Sequence, residues 1–213
     1  MGSLSSFHNT QEQSYQLAYK LAWEQLGSMD IERLCHKSGA QYLDQNRIII
    51  EYLNRSYLIT LPDIGISLRD SKEEVPLRDK ILILHYLTLA KDTPATNRLI
   101  TFKQLPGCAS YFPVFSQRAT KPLLNHFGEK PELLIDAAKN LGGYKTNYGD
   151  VAITINAFPR VPITLALWRG DEEFPPRGSI MFDANISNYL SAEDTRELCA
   201  TIIWRLVKSL RGL

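Results

Sequence analysis

Three consecutive acids, Asp171, Glu172 and Glu173, sit between Trp168-Arg169-Gly170 and Phe174-Pro175-Pro176. Burying the two rings would draw the carboxylates out of water, at a cost of several kcal/mol unless something local compensates. Backbone amides, an arginine, a metal ion or a ligand would each do so. If residues 163–168 form a strand, side chains alternate between its faces, and Gly170 lets the chain turn just before the acids. Asp171 and Glu173 then project together, with Asp183 expected beside them from the end of the next strand. Three oxygen donors suit a hard cation or acid/base work. A plainer use of the same residues stays open: Asp171 caps the turn, Glu172 and Glu173 pair with Arg169 or Arg177, and Trp168 and Phe174 plug the core. The pattern singles out no residue as catalytic.

His85 offers a second chemistry. Arg78, His85, Thr88 and Asp92 are spaced by seven, three and four, one polar line along an otherwise apolar helix. A histidine in that line suits an iron or cobalt ligand of a tetrapyrrole, or a proton carrier. Equally, it suits a core histidine bonded to a backbone carbonyl. His8, His36 and His126 are remote in sequence, and no HxxxH or HExxH spacing occurs, which speaks against a dedicated zinc site.

A third candidate is the loop Phe102-Lys103-Gln104-Leu105-Pro106-Gly107-Cys108-Ala109-Ser110-Tyr111-Phe112-Pro113, whose aromatics would wall a ligand pocket. Cys108 lies outside any helical pattern, with Arg118 as the nearest candidate to activate a thiol there. Cys35 and Cys199 fall within helices as small apolar side chains. Three widely spaced cysteines without a CxxC pair read as reduced thiols, and therefore as a cytoplasmic protein.

These residues depend on the elements that carry them. Residues 11–26 predict a helix stopped by Gly27, after an unstructured stretch at 1–10. A short helix follows at 30–37, with Ser28 as its cap and Gly39 as its end. The chain then turns to β: residues 47–53 and 57–61 predict a hairpin around Asn54-Arg55-Ser56. Residues 76–90 form the most apolar helix, expected to be central and buried. A weak strand at 99–102 precedes helices at about 114–127 and 131–140. A second hairpin is predicted from residues 151–158 and 163–168, with a third strand at 179–182. Ser191 and Asp194 cap a final helix whose Leu198, Ile202, Leu206 and Leu210 form the buried stripe. Two hairpins with helices before, between and after them predict an α+β fold, an antiparallel or mixed sheet covered by helices, in one domain spanning 11–213.

The chain has 213 residues, is 22% charged and carries a net charge of +1, which disfavours a nucleic-acid partner. Its apolar runs are too short to span a bilayer, so no membrane role is expected. No P-loop, dinucleotide-binding GxGxxG or GxSxG elbow is present, leaving nucleotide cofactors and hydrolase chemistry without support.

Leu84-His85-Tyr86-Leu87, residues 101–107 (TFKQLPG) and residues 167–175 (LWRGDEEFP), in this order, resemble an uncharacterised family of anaerobic bacteria and archaea catalogued as a domain of unknown function. The Trp-x-Gly-Asp-x-Glu-Phe element is the most specific part of the likeness. Some relatives look like fusions with a cysteine-rich iron–sulfur segment, in settings that suggest corrinoid-dependent methyl metabolism. This chain lacks such a segment, so no iron–sulfur cluster is expected in it. The resemblance implies a corrinoid or other tetrapyrrole such as haem as ligand, or a corrinoid or iron–sulfur protein as partner. His85, Tyr111, Phe112, Trp168 and Phe174 are the residues expected to line such a pocket. The reading therefore favours a binding accessory protein. An enzyme using Asp171, Glu173 and Asp183, and a purely structural interaction module, are the alternatives.

Overall fold

The computed structural model describes the backbone of residues 3–62 and 65–210, and side chains from residue 12 onward within those ranges. The chain groups into two compact units, Met1–Glu51 with Arg55–Asp92, and Tyr52–Asn54 with Thr93–Leu213. No linker signature marks the division in the sequence, because the segment after Asp92 is itself bound tightly within the second unit.

In the first unit, helix α1 (Ser3–Gly27) starts eight residues before the predicted 11. Neither glycine nor proline interrupts residues 3–11, so nothing there breaks helical geometry. Helix α2 (Ile31–Ser38) is capped by Asp30, whose Oδ1 accepts the Arg33 N–H at 3.0 Å. The predicted cap, Ser28, instead donates its hydroxyl to the Gln25 carbonyl at the end of α1. Both residues are good caps, and the one at the correct offset from the first helical turn is used.

Strands β1 (Gln41–Asp44), β2 (Arg47–Tyr52), β3 (Arg55–Thr60) and β4 (Gly65–Leu68) form a sheet in that order. The sequence predicts only the two central strands. The edge strand β1 is exposed along most of its length and carries no alternation for a sequence pattern to detect. The hairpin turn is Leu53-Asn54, both at positive φ, tighter than the three-residue turn predicted. Helix α3 (Leu77–Leu89) buries Ile81–Leu84, Tyr86 and Leu87, as its apolar circumference predicts.

The second unit is built on an antiparallel sheet of order β5-β9-β8-β7-β6, comprising β5 (Leu99–Thr101), β6 (Tyr144–Lys145), β7 (Val151–Phe158), β8 (Val161–Trp168) and β9 (Arg177–Asp183). The two predicted hairpins therefore seed two separate antiparallel sheets, and the fold is α+β. One face of the second sheet buries Ile153, Ile155, Ile163, Leu165, Leu167, Ile180 and Phe182. The other is lined by Ala152, Thr154, Thr164, Ala166 and Met181, with the two threonine hydroxyls 2.9 Å apart. Burial of both faces explains why β7 and β8 read as continuous apolar runs.

Helical residues 112–127 comprise α4 (Phe112–Phe115), a π turn (Ser116–Thr120) and α5 (Lys121–Phe127). Helix α6 (Leu133–Ala138) packs on β7, and α5 reaches β9. Gly178 permits that approach, since a Cβ there would lie 3.2 Å from both Leu124 and Leu167 side chains. Helix α7 (Ala192–Leu210) begins at the predicted box: the Ser191 hydroxyl accepts the Asp194 N–H at 3.1 Å, and Asp194 accepts the Ser191 N–H at 3.3 Å. Leu198, Ile202 and Leu206 are fully buried.

Candidate functional site

The eight residues 169–176 join β8 to β9, and the Trp168–Arg177 pair is the last rung of the ladder before them. Asp171 shapes this loop. Its Oδ1 accepts the N–H of Glu173 at 2.9 Å and of Phe174 at 2.7 Å, while its own N–H donates to the Phe174 carbonyl at 2.9 Å. Aspartate suits the position because its short side chain mimics a backbone acceptor across a turn. Gly170 is required for space and not for left-handed backbone. A Cβ there would sit 2.8 Å from Pro176 Cδ and 2.9 Å from the Phe174 carbonyl oxygen.

Arg169 is held on both its groups. Its N–H donates to Asp150 at 2.7 Å, and its guanidinium bonds to the Glu132 carboxylate. That hydrogen bond lowers the Glu132 pKa and raises that of Arg169. The expected pairing of Arg169 with Glu172 or Glu173 is thus replaced by a partner 37 residues away in sequence. Glu172 and Glu173 are exposed on the loop surface.

The two rings part company. Trp168 packs against Ala152, Ala166 and Met181, with the Tyr148 ring 6.3 Å away in an edge-on arrangement. Phe174 is 63% exposed, so it does not plug the core. The conflict between buried rings and buried acids therefore does not arise: acids and Phe174 stand in solvent together on a turn closed by its own hydrogen bonds. Beside the loop, Gly128 and Glu129 complete a groove of about 480 Å³ whose other wall is Arg169–Pro176. Carboxylates of Glu129, Asp171, Glu172 and Glu173 border it, with Phe174 as its large ring.

Asp183 is not at this site. In an antiparallel hairpin it is the start of β9, not its end, that lies beside the loop. Asp183 closes the strand six residues on, roughly 20 Å away at about 3.4 Å per residue. There it is buried and fully engaged. Its carboxylate accepts the Thr96 N–H at 3.1 Å, the Thr96 hydroxyl at 2.8 Å, the Asn97 N–H at 2.8 Å and the Asn185 N–H at 2.9 Å. Burial pushes its pKa up, and the bonds from Asn185, Thr96 and Asn97 more than offset this, leaving it below the ordinary value. Asn185 and Tyr189 extend the clamp, donating to the carbonyls of Pro94 at 2.9 Å and Thr93 at 2.5 Å. Asp183, Asn185 and Tyr189 thus anchor the strap 93–97. The Asp-x-Asn spacing at a strand end is the sequence signal for it. The expected three-carboxylate site is not assembled, and among the described residues no group of three or more His, Cys, Asp or Glu is placed to hold a metal ion.

The aromatic set is dispersed as well. Phe112 opens the helical run whose far end, Phe127, adjoins Gly128 of the groove. Fifteen residue-to-residue steps at about 1.5 Å each put roughly 20 Å between them. Tyr111 is 63% exposed, and Lys103 Nζ sits 4.1 Å from the Phe112 ring centroid. His85 belongs to the first unit and is half-buried on α3. The other members of its polar line have structural partners. Thr88 bonds back to the Leu84 carbonyl at 2.9 Å, Arg78 lies 5.9 Å from the Tyr15 ring, and Asp92 meets His36 at 3.4 Å.

All three thiols are buried. Desolvation raises the pKa of Cys108, and pushes Cys35 up to about 11 and Cys199 to about 12. Cys108 bonds to the Pro106 carbonyl at 3.6 Å. Arg118, expected beside Cys108, instead donates to Glu197 at 2.7 Å, which also accepts from Arg196 at 3.2 Å.

An α+β protein presenting an acidic, hydrogen-bond-closed loop is what this geometry defines. The chain belongs to the family described as a domain of unknown function, DUF3786, whose model matches residues 30–205. No curated protein and no solved structure matches it. No helix among the described residues is long and apolar enough to cross a membrane.

Proposed function

We propose that this protein is a cytoplasmic ligand-binding accessory protein whose binding surface is the groove bordered by the 169–176 loop. The observation that carries the reading is the closed turn: Asp171 and Gly170 hold Glu172, Glu173 and Phe174 in one arrangement before any ligand arrives. Preorganisation of that kind lowers the ordering cost of binding. A groove of about 480 Å³ falls within the size range of small-molecule sites.

Acid-lined walls select among ligands. Carboxylates accept hydrogen bonds from amide N–H groups and repel other carboxylates. A corrinoid, whose rim carries amides, therefore suits the groove better than haem, whose rim carries propionates. The Phe174 ring supplies apolar contact to a flat macrocycle. The likeness to proteins of anaerobic bacteria and archaea, some joined to iron–sulfur segments, points to the same ligand class or to a partner protein that carries it. Catalysis through Asp171, Glu173 and Asp183 is the weaker reading, since Asp171 and Asp183 are already occupied by backbone donors, one in the 169–176 loop and the other at the far end of β9. The third reading is an interaction module, favoured by the exposure of Phe174.

Absorbance titrations with cobalamin and with haem test the proposal. Expected is a saturable cobalamin shift, weakened at least tenfold by Phe174→Ala or by Glu172→Gln with Glu173→Gln, and no comparable haem shift. No shift with either macrocycle would overturn the tetrapyrrole reading. A shift abolished only by His85→Ala would move the site to α3.

A further inference from the structure

We draw no further inference here: the strongest candidate, the exposed apolar knuckle 111–114 beside Lys103 in the second unit, is an unpartnered surface patch, and nothing in the structure shows what covers it.

Discussion

Asp171 stands in the loop that leads into β9 and Asp183 at the far end of that strand, and each uses its carboxylate to gather backbone N–H groups. At Asp171 the loop is its own and lies in water, so every donor it binds would find a solvent partner if the side chain were lost. At Asp183, 6% exposed, the Asn185 N–H is buried beside it and the other donors belong to a strap 86 and 87 residues away in sequence, so the carboxylate ties two distant segments together. The same hydrogen-bonding device therefore does different work. Buried, it holds the fold; exposed, it sets the shape of a surface. What separates a structural aspartate from a candidate site here is not the number of hydrogen bonds but access to water.

The largest break in that comparison is expected from Asp183→Ala. Leaving the amides of Thr96, Asn97 and Asn185 without their acceptor should destabilise the protein by about 4 kcal/mol. Urea denaturation measures this, and cleavage by protease within 93–98 should accelerate. A loss below about 1 kcal/mol would show that water replaces the carboxylate.

Next is Gly170→Ala, at about 2 kcal/mol, because the new Cβ meets Pro176 and the Phe174 carbonyl, and loop backbone must shift to admit it. Asp171→Ala should follow at about 1 kcal/mol, in the range of a lost helix cap, with Asp171→Asn milder because its amide oxygen still accepts. Both belong to the exposed loop, so their effect on ligand titration should exceed their effect on melting. If Asp171→Ala destabilises as much as Asp183→Ala, the contrast between the two aspartates fails. Phe174→Ala, in the exposed loop, should change stability by no more than about 0.5 kcal/mol while weakening binding.

Acid sharpens the comparison further. The folded-state pKa of Asp183 is lowered, so its stabilisation is complete above the unfolded carboxylate value, about 4, and is lost as pH falls from there through the lower folded value. Unfolding free energies of wild type and Asp183→Asn, measured as a pH series, should differ at neutrality and converge in that acid window. A difference that stays constant into acid would remove the charge from the explanation.

Much of the fold is legible in residue order. The α3 wrap, the two hairpins and the Ser191–Asp194 box are local patterns; the wrap and the box lie where those patterns put them, and both hairpins form with tighter turns than predicted. The edge strand β1 escapes notice because it is exposed and lacks alternation, and β4 because its alternation runs over only four residues. At the site, the plain use of Asp171 as the turn's cap is readable from Trp-Arg-Gly-Asp, since its partners are two and three residues on. Arg169 with Glu132, Arg118 with Glu197 and Asp183 with Thr96 join residues 37, 79 and 87 apart, and no spacing rule reaches that far.

By itself, then, the sequence determined what short-range physics controls: helix phases and caps, strand-rich hairpins, and a glycine–aspartate turn carrying three acids. The tertiary structure alone decided which acids stay in water and which are buried. It set Asp183 at the far end of β9 from Asp171, turned Phe174 outward, and put His85 in a different compact unit from the loop. The reason is that burial and pairing depend on what other chain segments deliver to a position, and strand direction fixes that only once the sheet is formed.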